Sequence, residues 1–413
     1  MEGYVDVLVA RQAIFDRRRE VYAYELLFRS DAARNQFDGT EAATATLQVL
    51  SNSLLSIGAE KLLGGKKAFV NFDHRLLSTR VHLALPRESL VIEILETVIP
   101  TADLVALCRS IRDDGYSLAL DDFTDGREFA DLARLASVIK IDMRQSSQQE
   151  QEQMLRTYQP RGVLMLAEKV ETHAEFEWAL KAGYDLFQGY FFARPVIVRS
   201  QHIPAVKTTC LQLLREMQKC DLNFTNLQSL IRGDLSLTFQ LLRYVNSALF
   251  AREDKIDSIA TALAALGEEN IRRWVALATL PTLATNKPGE LVKLSLVRAR
   301  FCERLAQLSH YEDSNQAFLM GLFSLIDALV DQPIAEALQS IQLEGKVANI
   351  LLGHGAKQDL LTSLFELISA YEPGNWDEVE RLSSKCGILP AEVGQAYLDA
   401  TSWVEQFSQI AIA

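Results

Sequence analysis

The sequence predicts two domains of different class. The first, residues 1–200, is an α/β domain of the (β/α)8, TIM-like barrel type, and the second, residues 201–413, is all-α. Three observations carry this. Short β-rich runs alternate with amphipathic stretches up to about residue 195. Such alternation implies parallel βαβ units, and about eight runs are enough to close a barrel. From about residue 205 the strand-like runs disappear and helix punctuation takes over.

The candidate strands are Val5–Phe15, Val21–Phe28, Lys67–Phe72, Leu90–Leu95, Ser117–Phe123, Val138–Ile141, Val163–Ala167 and Asp185–Tyr190. Several are apolar without interruption over four to six residues, as strands buried on both faces are. Between them lie the amphipathic segments Glu41–Ile57, Ala102–Asp113, Ser146–Tyr158 and Thr172–Ala182. The alternative is an open doubly wound sheet, but no G-x-G-x-x-G follows the first strand. The boundary falls in Pro195–Lys207, which has two prolines and few strong structure formers.

In the second half, Ser258 is a candidate N-cap and Gly267 a candidate C′ residue, with Glu268 and Glu269 opening the next helix. Leu291–Leu308 and Gln316–Leu329 read as further apolar-striped helices. Gly387 ends one helix, and Pro390 suits the first turn of another.

Composition narrows the function classes. The 413 residues are 48% hydrophobic and 23% charged, with a net charge of −12. An acidic chain is a poor general binder of nucleic acid or anionic membrane, so neither is expected as a direct partner. No apolar run approaches the roughly 20 residues of a spanning helix. The start lacks the basic and apolar segments of a signal peptide, so a cytoplasmic location is expected. The five cysteines (108, 210, 220, 302 and 386) are widely spaced with no C-x-x-C, which argues against a disulfide framework or structural zinc.

One pattern in the first half is not explained by packing. Polar or acidic residues close the successive apolar runs: Glu25, Asn71, Glu93, Asp121 with Asp122, Lys140, Glu168 and Gln188. In a barrel the carboxyl ends of the strands share one face, so these residues converge. Several carboxylates with an amide oxygen in one mouth repel one another unless cations bind. All-oxygen ligands favour Mg²⁺ or Mn²⁺. The adjacent Asp121 and Asp122 suit a paired site in which one carboxylate bridges two ions. A lone Lys among acids offsets charge in a phosphoryl transition state.

Motifs in these runs resemble the EAL domain family of cyclic-di-GMP phosphodiesterases. Tyr24-Glu25-Leu26-Leu27-Phe28-Arg29 fits its E-x-L-x-R signature. Then come Asn71 in Phe69-Val70-Asn71, Glu93 and Glu96 in Ile92-Glu93-Ile94-Leu95-Glu96, Asp121-Asp122-Phe123, and Lys140-Ile141-Asp142. Ala167-Glu168-Lys169-Val170-Glu171 and Gln188-Gly189-Tyr190 complete the order. The resemblance implies that Glu25, Asn71, Glu93, Asp121 and Asp122 are metal ligands, with Glu168 in the same set. It implies a catalytic role for Lys140, which assists the attacking water, and for Glu25 and Glu171. It gives Arg29 and Gln188 to the substrate and makes Glu96 the anchor of the loop after Asp122. That loop departs from the family's Gly-Thr-Gly: here it runs Thr124-Asp125-Gly126-Arg127-Glu128-Phe129. Thr124 stands where a Gly could adopt backbone angles closed to a β-branched residue. Metal and nucleotide binding with weak or lost hydrolysis is therefore expected. The alternative is an active phosphodiesterase giving linear diguanylate.

The second half resembles the HDOD family, degenerate relatives of HD phosphohydrolases, on Leu241–Phe250, Ile256-Asp257-Ser258-Ile259 and Ala262–Trp274. Ser324 and Leu325 stand where a metal-binding His-Asp pair would be needed, and Asp327 is alone. His310 and His354 have no paired ligands nearby in sequence, and Asn246 and Ser247 read as a buried structural hydrogen bond within an apolar helix. The half is read as a non-catalytic module for an unidentified protein partner. A homodimer stays open.

Overall fold

The computed structural model describes residues 7–30, 63–95, 98–124, 126, 129–193, 205–219, 221–247, 250, 255–284 and 287–412. The predicted helix Glu41–Ile57 lies outside them, as do Glu96, Asp125, Arg127, Glu128 and Cys220. Two compact units are present: Met1–Arg194 with Ala370–Glu380, and Pro195–Ser369 with Arg381–Ala413.

The first unit is a closed barrel in sequence order. Its strands are β1 (Val7–Asp16), β2 (Val21–Ser30), β3 (Lys67–Phe72), β4 (Leu90–Ile94), β5 (Ser117–Leu120), β6 (Val138–Asp142), β7 (Leu164–Glu168) and β8 (Leu186–Gln188). From β2 to β8 every neighbouring pair is parallel. β1 departs from the expected parallel order, being antiparallel to both β2 and β8. The reason is chain length. Only Arg17–Glu20 separates β1 from β2, and a parallel crossover needs about a dozen residues or more. Asp16 closes this turn, its Oδ1 accepting from the backbone N–H of Arg18 at 2.8 Å and of Glu20 at 2.9 Å.

The helices Ala102–Asp113, Gln148–Tyr158 and His173–Ala182 start on side-chain caps. Thr101 accepts from Leu104 N, while Ser147 and Thr172 form capping boxes with Glu150 and Glu175. Each strand then contributes one residue to a buried interior layer: Ile14, Ala23, Phe69, Val91, Ala119, Val138, Leu166 and Leu186. This layer is the plug on which the mouth of the barrel rests.

From Ala205 onward the described residues form helices only. The helical stretch Ile259–Leu283 is interrupted at Gly267, whose backbone is not helical (φ 72°, ψ 166°), where the sequence predicts a helix end. Gly387 has φ 71°, between the helices Trp376–Cys386 and Pro390–Ile412. The single helix expected over Gln316–Leu329 is instead two, Ser314–Phe323 and Ile326–Val330. Ser324 Oγ donates to the Gly321 carbonyl at 2.7 Å and helps end the first, and Leu325 leaves helical geometry at φ −123°, ψ 18°. Asn246 does make a structural bond, donating to Ile256 O at 2.7 Å and accepting from Ile256 N at 2.8 Å. It is exposed, however, and not buried as expected. Cys108, Cys210, Cys302 and Cys386 are buried and in no disulfide. No described helix is long and apolar enough to cross a membrane.

Gly189, which follows β8, is a point of close approach. Its φ is 144°, and a Cβ there would lie 2.0 Å from Val170 O and 2.5 Å from Val170 N. The backbone atoms in the way cannot swing aside as a side chain would. Gly189→Ala is expected to destabilise the protein by about 2 kcal/mol or more, several degrees in melting temperature. Thermal unfolding measures this, and an unchanged melting temperature would show that the segment relaxes freely.

Candidate metal centre in the barrel mouth

Side chains on a strand alternate, so residues two apart share a face. Two residues beyond the apolar layer, toward the carboxyl ends of β2–β8, stand Glu25, Asn71, Glu93, Asp121, Lys140, Glu168 and Gln188. β1 runs the other way, so its counterpart lies two residues before Ile14, at Gln12. A ring of eight polar residues thus sits directly on a ring of eight apolar ones. Register pairs Gln12 with Glu25 and Asn71 with Glu93.

Lys140 is at the centre and is 1% exposed. Its Nζ lies 2.8 Å from both Asp121 Oδ1 and Glu168 Oε1, 3.6 Å from Glu25 Oε2, and in contact with Glu93 Oε1. Gln188 Nε2 donates to Glu25 Oε2 at 2.5 Å and to Gln12 Oε1 at 2.9 Å. Asn71 Nδ2 donates to Glu25 Oε1 at 3.4 Å. The sequence reading missed Gln12. Treating every strand as parallel looks for mouth residues only at carboxyl ends, and the short β1–β2 connection was the signal that β1 presents its other end.

The charges do not balance. Burial by itself would lower the Lys140 pKa, but Glu168, Glu25, Glu93 and Asp121 together raise it well above its ordinary value. Lys140 is thus a fixed ammonium. Burial pushes the Glu93 carboxyl well above the usual range despite the pull of Lys140, and Glu25, Asp121 and Glu168 push the same way. Burial likewise pushes Glu168 up to about 8. With these groups alone, the mouth takes up protons to relieve its negative charge.

Asp121, Asp122 and Glu168 offer carboxylate oxygens within 4.8 Å of one another, the one such group among the described residues. Asp122 holds the left-handed conformation at φ 40°, uncommon outside glycine. In the mouth, five buried side-chain oxygens have no hydrogen-bond partner: Asn71 Oδ1, Glu93 Oε2, Asp122 Oδ1, Glu168 Oε2 and Gln188 Oε1. Buried acceptors are normally satisfied, so five orphans in one mouth fit a hard divalent cation. Glu25 and Glu93 face the same mouth with Lys140 between them and the closer group of three.

The other expected site residues stand further out. Glu171 pairs with Arg144 at 2.5 Å. Arg29 lies on β2, but its side chain is outside the described residues, and so is Glu96. In the loop after Asp122, Thr124 is exposed and is not among the residues of positive φ. The expected backbone conflict at Thr124 is therefore absent: the left-handed residue is Asp122, two positions earlier. Gly126 N donates to Thr124 O at 2.8 Å, and Phe129 packs edge-on to Phe123 at 6.3 Å.

In the helical half, Ser324 Oγ accepts from Arg298 Nη1 at 3.1 Å, a guanidinium where a metal site would need an anion. Burial raises the Asp327 pKa, and no metal-ligating group forms around it among the described residues. His310 and His354 join no such group either.

The chain matches the EAL domain over residues 71–195 and the HDOD domain over 203–360. Uncharacterized protein YuxH of Bacillus subtilis (strain 168) is 36% identical over 405 residues, covering 96% of this chain and 98% of YuxH. Cyclic di-GMP phosphodiesterase CdgJ of Vibrio cholerae serotype O1 is 34% identical over 406 residues, covering 97% and 93%. The chain belongs to the EAL–HDOD two-domain family. The EAL match begins at Asn71, so Gln12 and Glu25 enter the EAL mouth on the register of β1 and β2 and not on that match. A standalone EAL protein of Vibrio cholerae O395, solved in its c-di-GMP bound form, is 24% identical, covering 47% of this chain and 93% of that one at a TM-score of 0.37.

A calorimetric titration of the full-length protein with Mn²⁺ is expected to show binding, and Asp121→Ala to abolish it or weaken it at least tenfold. Wild-type protein that takes up no Mn²⁺, with or without nucleotide, contradicts the metal centre.

Proposed function

We propose that the EAL barrel is a divalent-metal-dependent phosphodiesterase site for cyclic-di-GMP, opening the cyclic dinucleotide to linear diguanylate. The observation that carries this is the set of unpartnered buried oxygens around a fixed ammonium. Glu25, Asn71, Glu93, Asp121, Asp122 and Glu168 would hold Mg²⁺ or Mn²⁺. Their five carboxylates against Lys140 leave four excess negative charges, which two divalent ions balance. The ions would polarise a phosphoryl oxygen and acidify a water.

The protein's own groups supply the rest. Lys140 keeps its proton, so it acts as a positive charge and hydrogen-bond donor toward the attacking water and the developing phosphoryl charge. Gln188 is held by Glu25 and Gln12 and presents its Oε1 to the mouth. Arg29 is assigned to a substrate phosphate, Glu171 to the catalytic group with Lys140 and Glu25, and Glu96 to anchoring the loop after Asp122. The domains are taken as 1–200 and 201–413, in a cytoplasmic protein. The HDOD half is a non-catalytic module for a protein partner, supported by the Arg298–Ser324 pair.

A second reading keeps metal and nucleotide binding but makes hydrolysis weak or absent. It is favoured by the run Thr124-Asp125-Gly126-Arg127-Glu128, which departs from the family's Gly-Thr-Gly. The full-length protein with cyclic-di-GMP and Mn²⁺ is expected to yield linear product at roughly 1 s⁻¹ or faster. Glu25→Ala should leave no turnover, because the helical half is read as having no site of its own. Binding without turnover, with recovery in Thr124→Gly/Glu128→Ser, would establish the second reading instead. Turnover that persists in Glu25→Ala would contradict the role of Glu25 in the site.

A further inference from the structure

Asp122 and Lys169 are two of the few described non-glycine residues with positive φ, at 40° and 56°. Each follows a residue of the polar ring, Asp121 at the end of β5 and Glu168 at the end of β7. Between these strands β6 ends in Asp142, which is 4% exposed. Lys169 Nζ lies 2.5 Å from Asp142 Oδ2 and 3.7 Å from Asp122 Oδ2. Asp142 Oδ1 also accepts from Arg144 N at 2.7 Å. The ammonium therefore spans three adjacent strand ends. Left-handed backbone at a lysine costs of order 1 kcal/mol and persists only where the surroundings impose it.

We propose that Lys169 is a positioning residue for the cation site: seated on Asp142, it holds Asp122 Oδ2 so that Oδ1 faces Asp121 and Glu168. The inference rests on the metal-binding reading above. Asp122 Oδ1 is buried and unpartnered, while Oδ2 has Lys169 beside it, so the two oxygens are already divided between clamp and mouth. A lysine near a cation site also repels the cation. Here Asp142, at 2.5 Å, already neutralises that charge, so orientation outweighs repulsion. Partners that orient a ligating carboxylate typically contribute about 10–100-fold to metal affinity.

The test is Mn²⁺ calorimetry on the full-length protein and on Lys169→Gly, Lys169→Met and Lys169→Arg, each confirmed as folded by thermal unfolding. Glycine adopts φ 56° without steric cost, so a loss in Lys169→Gly cannot be backbone strain. Lys169→Gly and Lys169→Met are expected to bind Mn²⁺ at least tenfold more weakly, with Lys169→Arg close to wild type. Unchanged or tighter binding in both neutral variants overturns the clamp while leaving the metal centre standing. Wild-type protein that binds no Mn²⁺ overturns the metal centre and the clamp with it.

Discussion

Lys140 is the group on which the barrel mouth depends. A fully buried ammonium is tolerated only when paired, and this one is paired with carboxylates from four other strands at once. It holds the ends of β2, β4, β5 and β7 to a common centre. It does not hold them to neutrality, and that shortfall gives the mouth its chemistry. A packed hydrophobic plug lies directly beneath, so the excess charge has no escape into the barrel and is open only toward the mouth.

The two-residue alternation of β-strands converts one structural requirement into the other. Eight apolar residues fill the barrel because its interior must be packed, and the positions two further along necessarily point into the mouth. Glu25, Asn71, Glu93, Asp121, Lys140, Glu168 and Gln188 occupy those positions, with Gln12 added by the reversed first strand. That reversal also shapes the mouth. It brings an amide onto Gln188 from the side where a parallel strand would present its amino end. Glu25 thereby gains a firmly oriented neighbour.

The helical half is packed around the position of Ser324 and Leu325 without a metal-ligating group among the described residues. The helix Ser314–Phe323 ends at Ser324, whose hydroxyl turns back onto Gly321 and receives Arg298. A guanidinium and a hydroxyl satisfy each other there, and Leu325 is buried. The guanidinium placed there would repel a cation.

The sequence by itself determined the strand and helix order, the change of class near residue 200, and the polar strand ends, because periodicity and turn residues are local properties. It also determined the kink at Gly267 and the start of the last helix at Pro390, which depend on one residue's backbone freedom. Only the tertiary structure decided the direction of β1, since antiparallel pairing follows from where a four-residue turn sends the chain. The same holds for Gln12, whose place in the mouth follows from that direction. Thr124 shows the converse: a residue that looks strained in the sequence is relaxed, and the left-handed position falls on Asp122, because backbone angles in a loop are set by what the flanking strands impose. The Lys169 contacts with Asp142 and Asp122 join residues up to 47 positions apart in sequence, and no local pattern predicts a contact that exists only when three strand ends meet.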